Sequence, residues 1–311
     1  MAMGFLSYPR QSKNLKFRQT SFELLSDFLI NLNKSNKEKL DSLSKCSGVF
    51  KDKRLLEYIF VITEELRLDP LVGYHAVELL ERFTIKHLES FFTTPTPQGA
   101  AAKEPRNYED LVFEKLWEKF PLLVFSCVQL ASKLSLHSSI IDNNIAVHFL
   151  HSIGCSVSKQ TLLESELMIL RGLDFRLNVP SPLTYVEILL EVLGYNESSI
   201  PVERLHNLCH HVLRFTCLQR SAIYDSLLIV TTQCVSPSRE QREKFVPVTE
   251  DYMLLGVGVI AVAAYILTIS KWEQVVQELS HMTGISWRSI RDFACVTLMH
   301  ITKNGSAVTS T

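Results

Sequence analysis

The chain lacks an excess of charge of either sign. Its 311 residues carry 32 lysines and arginines against 33 aspartates and glutamates, a formal net charge of −1 at pH 7. Proteins that bind nucleic acid or anionic membranes through their summed charge need a positive field, which this composition does not supply. We therefore expect no direct binding to nucleic acid, and the expected partner is another protein or a small ligand.

Paired cysteines and targeting signals are also missing. The seven cysteines are an odd number and include no CxxC pair, which predicts reduced thiols in an intracellular protein. The first residues, MAMGFLSYPRQSK, contain too short an apolar run for a signal peptide and lack the arginine-rich pattern of a transit peptide. No cluster of lysine and arginine stands out as a nuclear import signal.

Familiar catalytic motifs are absent as well. The sequence contains no glycine-rich phosphate loop, no G-x-S-x-G elbow and no HExxH, so we predict no enzyme, no catalytic residues and no cofactor. His206 and His210 have the i, i+4 spacing that a metal could use, with Cys209 and His211 beside them. Two ligands on one helix do not make a site, so we predict no metal and interpret these histidines as helix-surface and interface residues.

Alternating apolar and polar residues bounded by turn signals, the pattern of β-strands, are missing throughout, so the chain is predicted to be all-α. Two apolar helices are its centres: Pro121–Leu134, which only four polar residues interrupt, and Met253–Ile269, which is uncharged over 17 residues. A bilayer span needs about 20 apolar residues. We therefore predict that Met253–Ile269 is a buried core helix with no membrane contact, and a membrane span is the alternative.

The two apolar helices predict two bundles of about five helices each, with one apolar helix at the centre of each bundle. The predicted organisation is an N-terminal arm with one helix (1–50), a first bundle with a flexible insertion (51–180, insertion 93–110), a second bundle (181–302) and a disordered tail (303–311).

Several local predictions depend on single patterns. Lys34–Lys39 is predicted to be a solvated linker, Ser236–Glu250 a polar loop, and Ser270–Glu273 a capping box at a helix start. In the helix Lys159–Leu173, the core face is assigned to Leu163, Leu167 and Leu170, with Leu162, Ile169 and Leu173 alongside. Glu166 then lies in the middle of this helix, where an acid needs a partner.

Three motifs in this order resemble the cyclin family. EELRLDPLVGYHAVELLERF (Glu64–Phe83) resembles the junction of the family's first two helices, and LVFSCVQLASK (Leu123–Lys133) its central helix with the ASK ending. LLESELMILRGLDFRL (Leu162–Leu177) resembles the helix that carries the family glutamate. The resemblance is strong over about Lys51–Leu193, and Pro201–Ile301 resembles a divergent second box. It implies that both bundles are cyclin-box-like.

The resemblance implies a kinase partner. In the cyclin family, a lysine and a glutamate at the positions of Lys133 and Glu166 grip the αC region of a cyclin-dependent kinase, and Leu134 lies beside them. The alternative is an intramolecular salt bridge without a partner. The acidic pair that follows ASK in kinase-activating members is replaced by Ser135 and Leu136, so activation of the kinase stays open.

The family's substrate-docking groove is altered in this chain. Its Met, Leu and Trp correspond to Lys51, Leu55 and Tyr58, so the groove is predicted to be vestigial. An arginine–aspartate pair of the family corresponds to Asp52 and Glu81, which are predicted to repel each other unless Lys53 or Arg54 compensates.

Three further segments, SCVQLASKLS, LLESEL and PSPLTYVEILLEVLGYN, resemble a meiotic branch of the family. That resemblance implies a role in crossover maturation during meiotic recombination, with recombination proteins as partners and no small-molecule substrate. It also implies nuclear localisation on meiotic chromosomes, with cytoplasmic presence left open. The alternatives are a noncatalytic cyclin-fold scaffold that recruits recombination proteins without activating a kinase, and a nucleic-acid-associated cyclin-fold protein, which the near-zero net charge disfavours.

Overall fold

The computed structural model describes residues 17, 20–44, 47–48, 51–93, 120–135, 140–267 and 269–308. These residues form thirteen α-helices and contain no strand, so the prediction of an all-α fold is confirmed. The helices are α1 (Phe22–Asp41), α2 (Lys53–Glu65), α3 (Pro70–Thr93), α4 (Phe120–Leu134), α5 (Asn143–Ser152), α6 (Lys159–Gly172), α7 (Pro182–Asn196), α8 (Val202–Leu218), α9 (Arg220–Thr232), α10 (Arg239–Glu250), α11 (Tyr252–Leu267), α12 (Trp272–Thr283) and α13 (Trp287–Val308). Apart from Thr93, the predicted insertion 93–110 lies outside the described residues.

Helices α2 to α6, the first group, pack around α4. Every residue from Leu122 to Ser132 of α4 is buried, with α3 and α6 against it. The start of α3 follows from its sequence: the Asp69 side chain accepts from the Leu71 amide at 2.9 Å, and Pro70 occupies the first helical position, where its missing amide hydrogen is not needed.

In the second group, helices α7 to α13, four helices pack directly on α11: α7, α8, α12 and α13. Residues 252–264 of α11 are all buried against α7, α8 and α13, so the prediction of an apolar core helix is confirmed. Within the described ranges no single helix is both long and apolar enough to cross a membrane; only α10 and α11 taken together meet that test, and they are bent by 71°. The packing around α4 and α11 is compatible with two bundles.

Helix α1 packs on the second group. It contacts α7 and α11, and the Tyr185 hydroxyl donates to the Leu32 carbonyl at 3.3 Å. The Asn36 side chain donates to Asp251 at 2.9 Å and accepts from the Tyr252 amide at 3.0 Å. The predicted linker Lys34–Lys39 is therefore wrong. These residues continue α1 to Asp41, because Asn36 and Lys39 have partners elsewhere in the fold.

Three predicted boundaries in the second half are also corrected. Ser236–Glu250 contains α10 instead of being a loop throughout, because Ser238 and Gln241 form a capping box and charged pairs such as Arg239–Glu243 support an exposed helix. Ser270 forms no cap, since it lies in a 3₁₀ turn (Ile269–Lys271) that leads into α12. The predicted tail is helical as far as Val308, because no proline interrupts the hydrogen-bond ladder of α13; 309–311 lie outside the described residues.

Candidate functional site

Helix α6 is positioned against α4 by polar and apolar contacts together. Ser158 caps its first turn by accepting from the Thr161 amide at 3.1 Å. Ser126 of α4 and Ser165 of α6 are hydrogen-bonded at 2.9 Å, and the buried side chains of Leu162 and Ile169 fill the rest of the contact. The serine pair together with Leu162 and Ile169 determines which face of α6 points toward α4.

The predicted core face of α6 is corrected by this packing. Leu163 and Leu167 are 43% and 39% exposed, and Leu170 is half-buried, so the inward face is built from Leu162, Ser165 and Ile169. Leu162 and Ile169, predicted to lie alongside the core face, are the residues that point inward. The serine contact explains the difference, because two small polar side chains allow α4 and α6 to approach closely on the side of Ser165. Leu163 and Leu167 are left at the surface.

Lys133 and Glu166 lie together at the junction of α4 and α6. The lysine Nζ is 2.6 Å from Glu166 Oε1, and the side chains are 36% and 8% exposed respectively. An ammonium group has three donor hydrogens and Glu166 takes one of them, so the half-exposed Lys133 retains donors for carbonyl groups of a partner. The carboxylate is held nearly out of solvent, where charge-assisted hydrogen bonds are strong.

Exposed apolar side chains surround this pair. On α6, Leu163 lies three residues before Glu166 and Leu167 directly follows it, and both leucines are exposed. Leu134 is 40% exposed at the end of α4. We call these five residues the Lys133–Glu166 face. A partly exposed lysine held by a buried glutamate, beside exposed leucines, combines the polar and apolar parts of a protein–protein interface. Ser135 ends the described part of this segment, and Leu136 lies outside it.

The predicted docking-groove residues do not line an exposed groove, because Lys51 is buried. Its ammonium lies 2.6 Å from Glu81 and 2.5 Å from Glu250, while Leu55 and Tyr58 of α2 are half-buried against the core. Asp52 and Glu81, which were predicted to repel each other, each have a partner of their own. Asp52 caps α2 by accepting from the Arg54 amide at 2.9 Å, and Glu81 binds Lys51 and accepts from the Gly48 amide.

Lys51 belongs to a buried ionic cluster that joins both groups of helices to α1. Its cations and anions are equal in number: Lys39, Lys51 and Arg220 against Glu78, Glu81 and Glu250. The Tyr252 hydroxyl donates to Glu78, and the Lys39 ammonium lies 3.0 Å above the Tyr252 ring. Because the charges balance inside the protein, the cluster needs no bound ion and is structural.

The pKa values within the cluster reflect this balance. Burial would raise the pKa of Glu250, but Lys51, Arg220 and Lys39 outweigh burial and lower it to about 2. Burial lowers the pKa of Lys39 to about 8, despite the nearby carboxylates. For Lys51 the carboxylates of Glu81, Glu250 and Glu78 outweigh burial, so its pKa is raised. Lys51 is thus held as a cation. Its partners are distant in sequence, and no local pattern around Lys51 indicates them.

The histidines of α8 have a third polar neighbour that the sequence did not reveal. His206 Nε2 lies 3.3 Å from Glu187 Oε1 on α7, and His210 Nε2 lies 3.1 Å from His206 Nε2. Glu187 precedes His206 by 19 residues, on another helix, so only tertiary packing brings these groups together. Their ligand atoms all lie within 4.8 Å of one another.

Comparisons with known proteins agree with this architecture. Residues 26–178 match the family model described as the cyclin N-terminal domain, a range that includes Lys133 and Glu166. The human protein called cyclin N-terminal domain-containing protein 1 is 41% identical over 288 residues, covering 92% of this chain and 87% of the relative. The mouse protein of the same name is 39% identical over 287 residues, covering 92% and 86%. A match of this extent shows that the chain belongs to the cyclin family.

Proposed function

We propose that this chain is a noncatalytic regulatory subunit that binds a cyclin-dependent kinase through the Lys133–Glu166 face. The observation that carries the proposal is the 2.6 Å pair itself: a half-exposed lysine held by a nearly buried glutamate and flanked by exposed leucines. An isolated surface ion pair contributes about 0 to 1 kcal/mol to folding. The exposed leucines beside it add an apolar surface that a partner would cover.

The mechanism needs no catalytic group from this chain. Lys133 donates to backbone carbonyls of the kinase while Glu166 orients the lysine and accepts from kinase amides. The exposed leucines Leu134, Leu163 and Leu167 pack against apolar residues of the kinase helix. Binding one position of that helix better than another shifts the kinase toward that conformation, which is how such a subunit would act.

The proposed biological setting is crossover maturation in meiotic recombination, in the nucleus and on meiotic chromosomes. It is supported by the resemblance of SCVQLASKLS, LLESEL and PSPLTYVEILLEVLGYN to a meiotic branch of the family. Immunostaining of nuclei in meiotic prophase tests this setting, with foci on paired chromosomes as the expected result. Staining confined to the cytoplasm would contradict it.

A specific observation favours a second candidate, a scaffold that recruits recombination proteins without activating a kinase. The charge of Lys51, at the position of the family's docking groove, is buried among Glu81 and Glu250. A substrate peptide cannot reach it without opening the ionic cluster. Both candidates predict recombination proteins as partners, and they differ in whether a kinase is bound and stimulated.

The deciding experiment is co-purification of the full chain with a panel of cyclin-dependent kinases, followed by a binding titration. We expect Lys133→Ala and Glu166→Gln each to weaken kinase binding by at least thirtyfold, because truncating one member of a desolvated charge pair costs about 2 to 5 kcal/mol. The matched control is Lys86→Ala, since Lys86 pairs with Asp174 at 2.5 Å and both side chains are more than half exposed.

Phosphorylation of a generic substrate in the same complexes separates the two candidates. Binding with stimulated phosphorylation supports a kinase-activating subunit, and binding without stimulation supports a kinase-bound adaptor. A kinase that binds equally well to wild type, Lys133→Ala and Glu166→Gln would show that the pair is structural. If no kinase of the panel binds, the scaffold replaces the first candidate.

A further inference from the structure

Glu187, His206 and His210 place three metal-ligating groups around one point between α7 and α8. The two short separations are 3.3 Å, from the carboxylate oxygen to His206 Nε2, and 3.1 Å, between the two ring nitrogens. A zinc ion bound at about 2.0 to 2.1 Å in tetrahedral geometry holds its ligand atoms about 3.3 Å apart. The two measured separations therefore match the edges of a zinc coordination tetrahedron.

One proton can serve both contacts only if His206 Nε2 shares its hydrogen between Glu187 and the lone pair of His210 Nε2 in a three-centre hydrogen bond. A cation held by the three groups is the other arrangement that fits these distances, because each ring nitrogen and the carboxylate oxygen then offer a lone pair.

From this convergence we propose that Glu187, His206 and His210 bind a divalent transition metal ion with the ligand preferences of zinc. Three protein ligands leave one coordination position, which water fills. The third separation, between Glu187 and His210, is within 4.8 Å, and side-chain rotation closes it to the tetrahedral edge.

The surroundings fit a metal ligand set. The side chains of His206 and Glu187 are only 10% and 26% exposed, and the edge of the Phe17 ring packs on His206 with the ring centroids 5.4 Å apart. This shielding limits exchange of the ion with solvent. Cys209 lies on the same helix but is buried in the core and is not part of this cluster.

Binding at this place would link α7 to α8. Both helices pack against α11, so an ion between them strengthens the second group of helices without touching the Lys133–Glu166 face. The proposed metal site is therefore independent of the proposed kinase partner, and either can fail without the other.

The test is zinc binding by the full chain stripped of metal with a chelator. Native mass spectrometry after addition of zinc chloride is expected to show one bound ion per wild-type chain, and zinc at about a hundredfold excess over its dissociation constant is expected to raise the unfolding midpoint by about 4 °C. We expect Glu187→Gln and His210→Gln to lose the ion and at least three quarters of the shift. His211→Gln is the matched control, because His211 is exposed on the same helix and belongs to no such cluster.

Cobalt(II) in place of zinc identifies the ligands directly. Nitrogen and oxygen ligands give weak visible bands without the strong sulfur-to-metal absorption of thiolates, and we expect the former in wild type and in His211→Gln. A thiolate spectrum, or zinc bound equally by Glu187→Gln and His210→Gln, would locate the ion at other residues and overturn the proposal. The absence of any bound ion would overturn it as well. Far-ultraviolet circular dichroism of each metal-free variant checks that the fold persists.

Discussion

At the scale of single residues, burial decides the role of Lys51 and Glu250. The Glu250 side chain is 1% exposed and lies 2.5 Å from both Lys51 and Arg220, which come from different parts of the chain. Removing one member of a buried ion pair leaves the other charge unpaired, which costs more than the pair contributes in itself. Glu250 is therefore the most informative position for testing the cluster.

Glu250→Gln is expected to lower the free energy of unfolding by about 3 kcal/mol at pH 7, because two buried cations lose their shared carboxylate. The pKa of Glu250 is lowered from 4.5 to about 2 in the folded chain. Its contribution is thus fully present above about pH 4.5 and is lost as the pH falls toward 2, since the unfolded chain takes up the proton first. Urea unfolding of both proteins at several pH values measures this: the difference should shrink below pH 4.5.

The control for this substitution is Glu240→Gln on the same helix. Glu240 pairs with Lys244 at 2.7 Å, but both side chains are about three quarters exposed. We expect a change of less than 0.5 kcal/mol, because exposed pairs are screened by solvent. If Glu250→Gln behaved like Glu240→Gln at pH 7, the buried cluster would not contribute to stability.

At the scale of secondary-structure elements, α11 is shaped by two glycines. A Cβ at Gly258 would collide with the ring of Phe293, a fully buried residue of α13, whereas a Cβ at Gly256 would lie 2.9 Å from a terminal methyl of Leu189. A ring held on all sides cannot move away, but a leucine methyl can change rotamer. A side chain at position 258 is therefore excluded by Phe293, whereas a small side chain at position 256 can be accommodated by a movement of Leu189.

Gly258→Ala is expected to destabilise the chain by about 1 to 3 kcal/mol, the usual cost of overpacking a filled core. Gly256→Ala is its matched comparison, with an expected change near zero, because the gain of about 1 kcal/mol in helix propensity offsets a small rearrangement of Leu189. Thermal unfolding of the two variants checks the order. Equal effects would show that α11 and α13 are not in close contact at Gly258.

Sequence patterns predicted those secondary-structure elements that depend on residues close together in the chain. The apolar runs of α4 and α11 and the Asp69-Pro70 start of α3 were predictable, because burial, caps and proline act over a few residues. The extension of α1 was not, since it depends on Asn36 binding Asp251.

The candidate site was predictable only in part, for the same reason. Lys133 and Glu166 were recognisable from motifs, and the structure brings them together at 2.6 Å. The inward face of α6 depends on the contact between Ser126 and Ser165, which no pattern within α6 encodes. The partners of Lys51 are equally distant in sequence, so its burial was not predictable.

At the scale of the whole molecule, the two groups of helices share their polar interior. The ionic cluster takes Lys51, Glu78 and Glu81 from the first half of the chain and Arg220 and Glu250 from the second. Opening the contact between the halves would separate these charges and would also expose apolar residues packed around them. We therefore expect the two groups to unfold as one cooperative unit, although each has its own central helix.

Native-state hydrogen exchange tests this coupling. Leu189→Ala removes a fully buried side chain from α7 in the second group and should cost about 2 to 5 kcal/mol. In a single cooperative unit, the opening free energy of peptides from α4 in the first group falls by the same amount as that of peptides from α11. Leu150→Ala, an equally buried position in α5, is the reciprocal variant and should lower protection in α11 as much as in α4. Loss of protection confined to the substituted group in both variants would show that the halves open separately, and that the buried charges do not couple them.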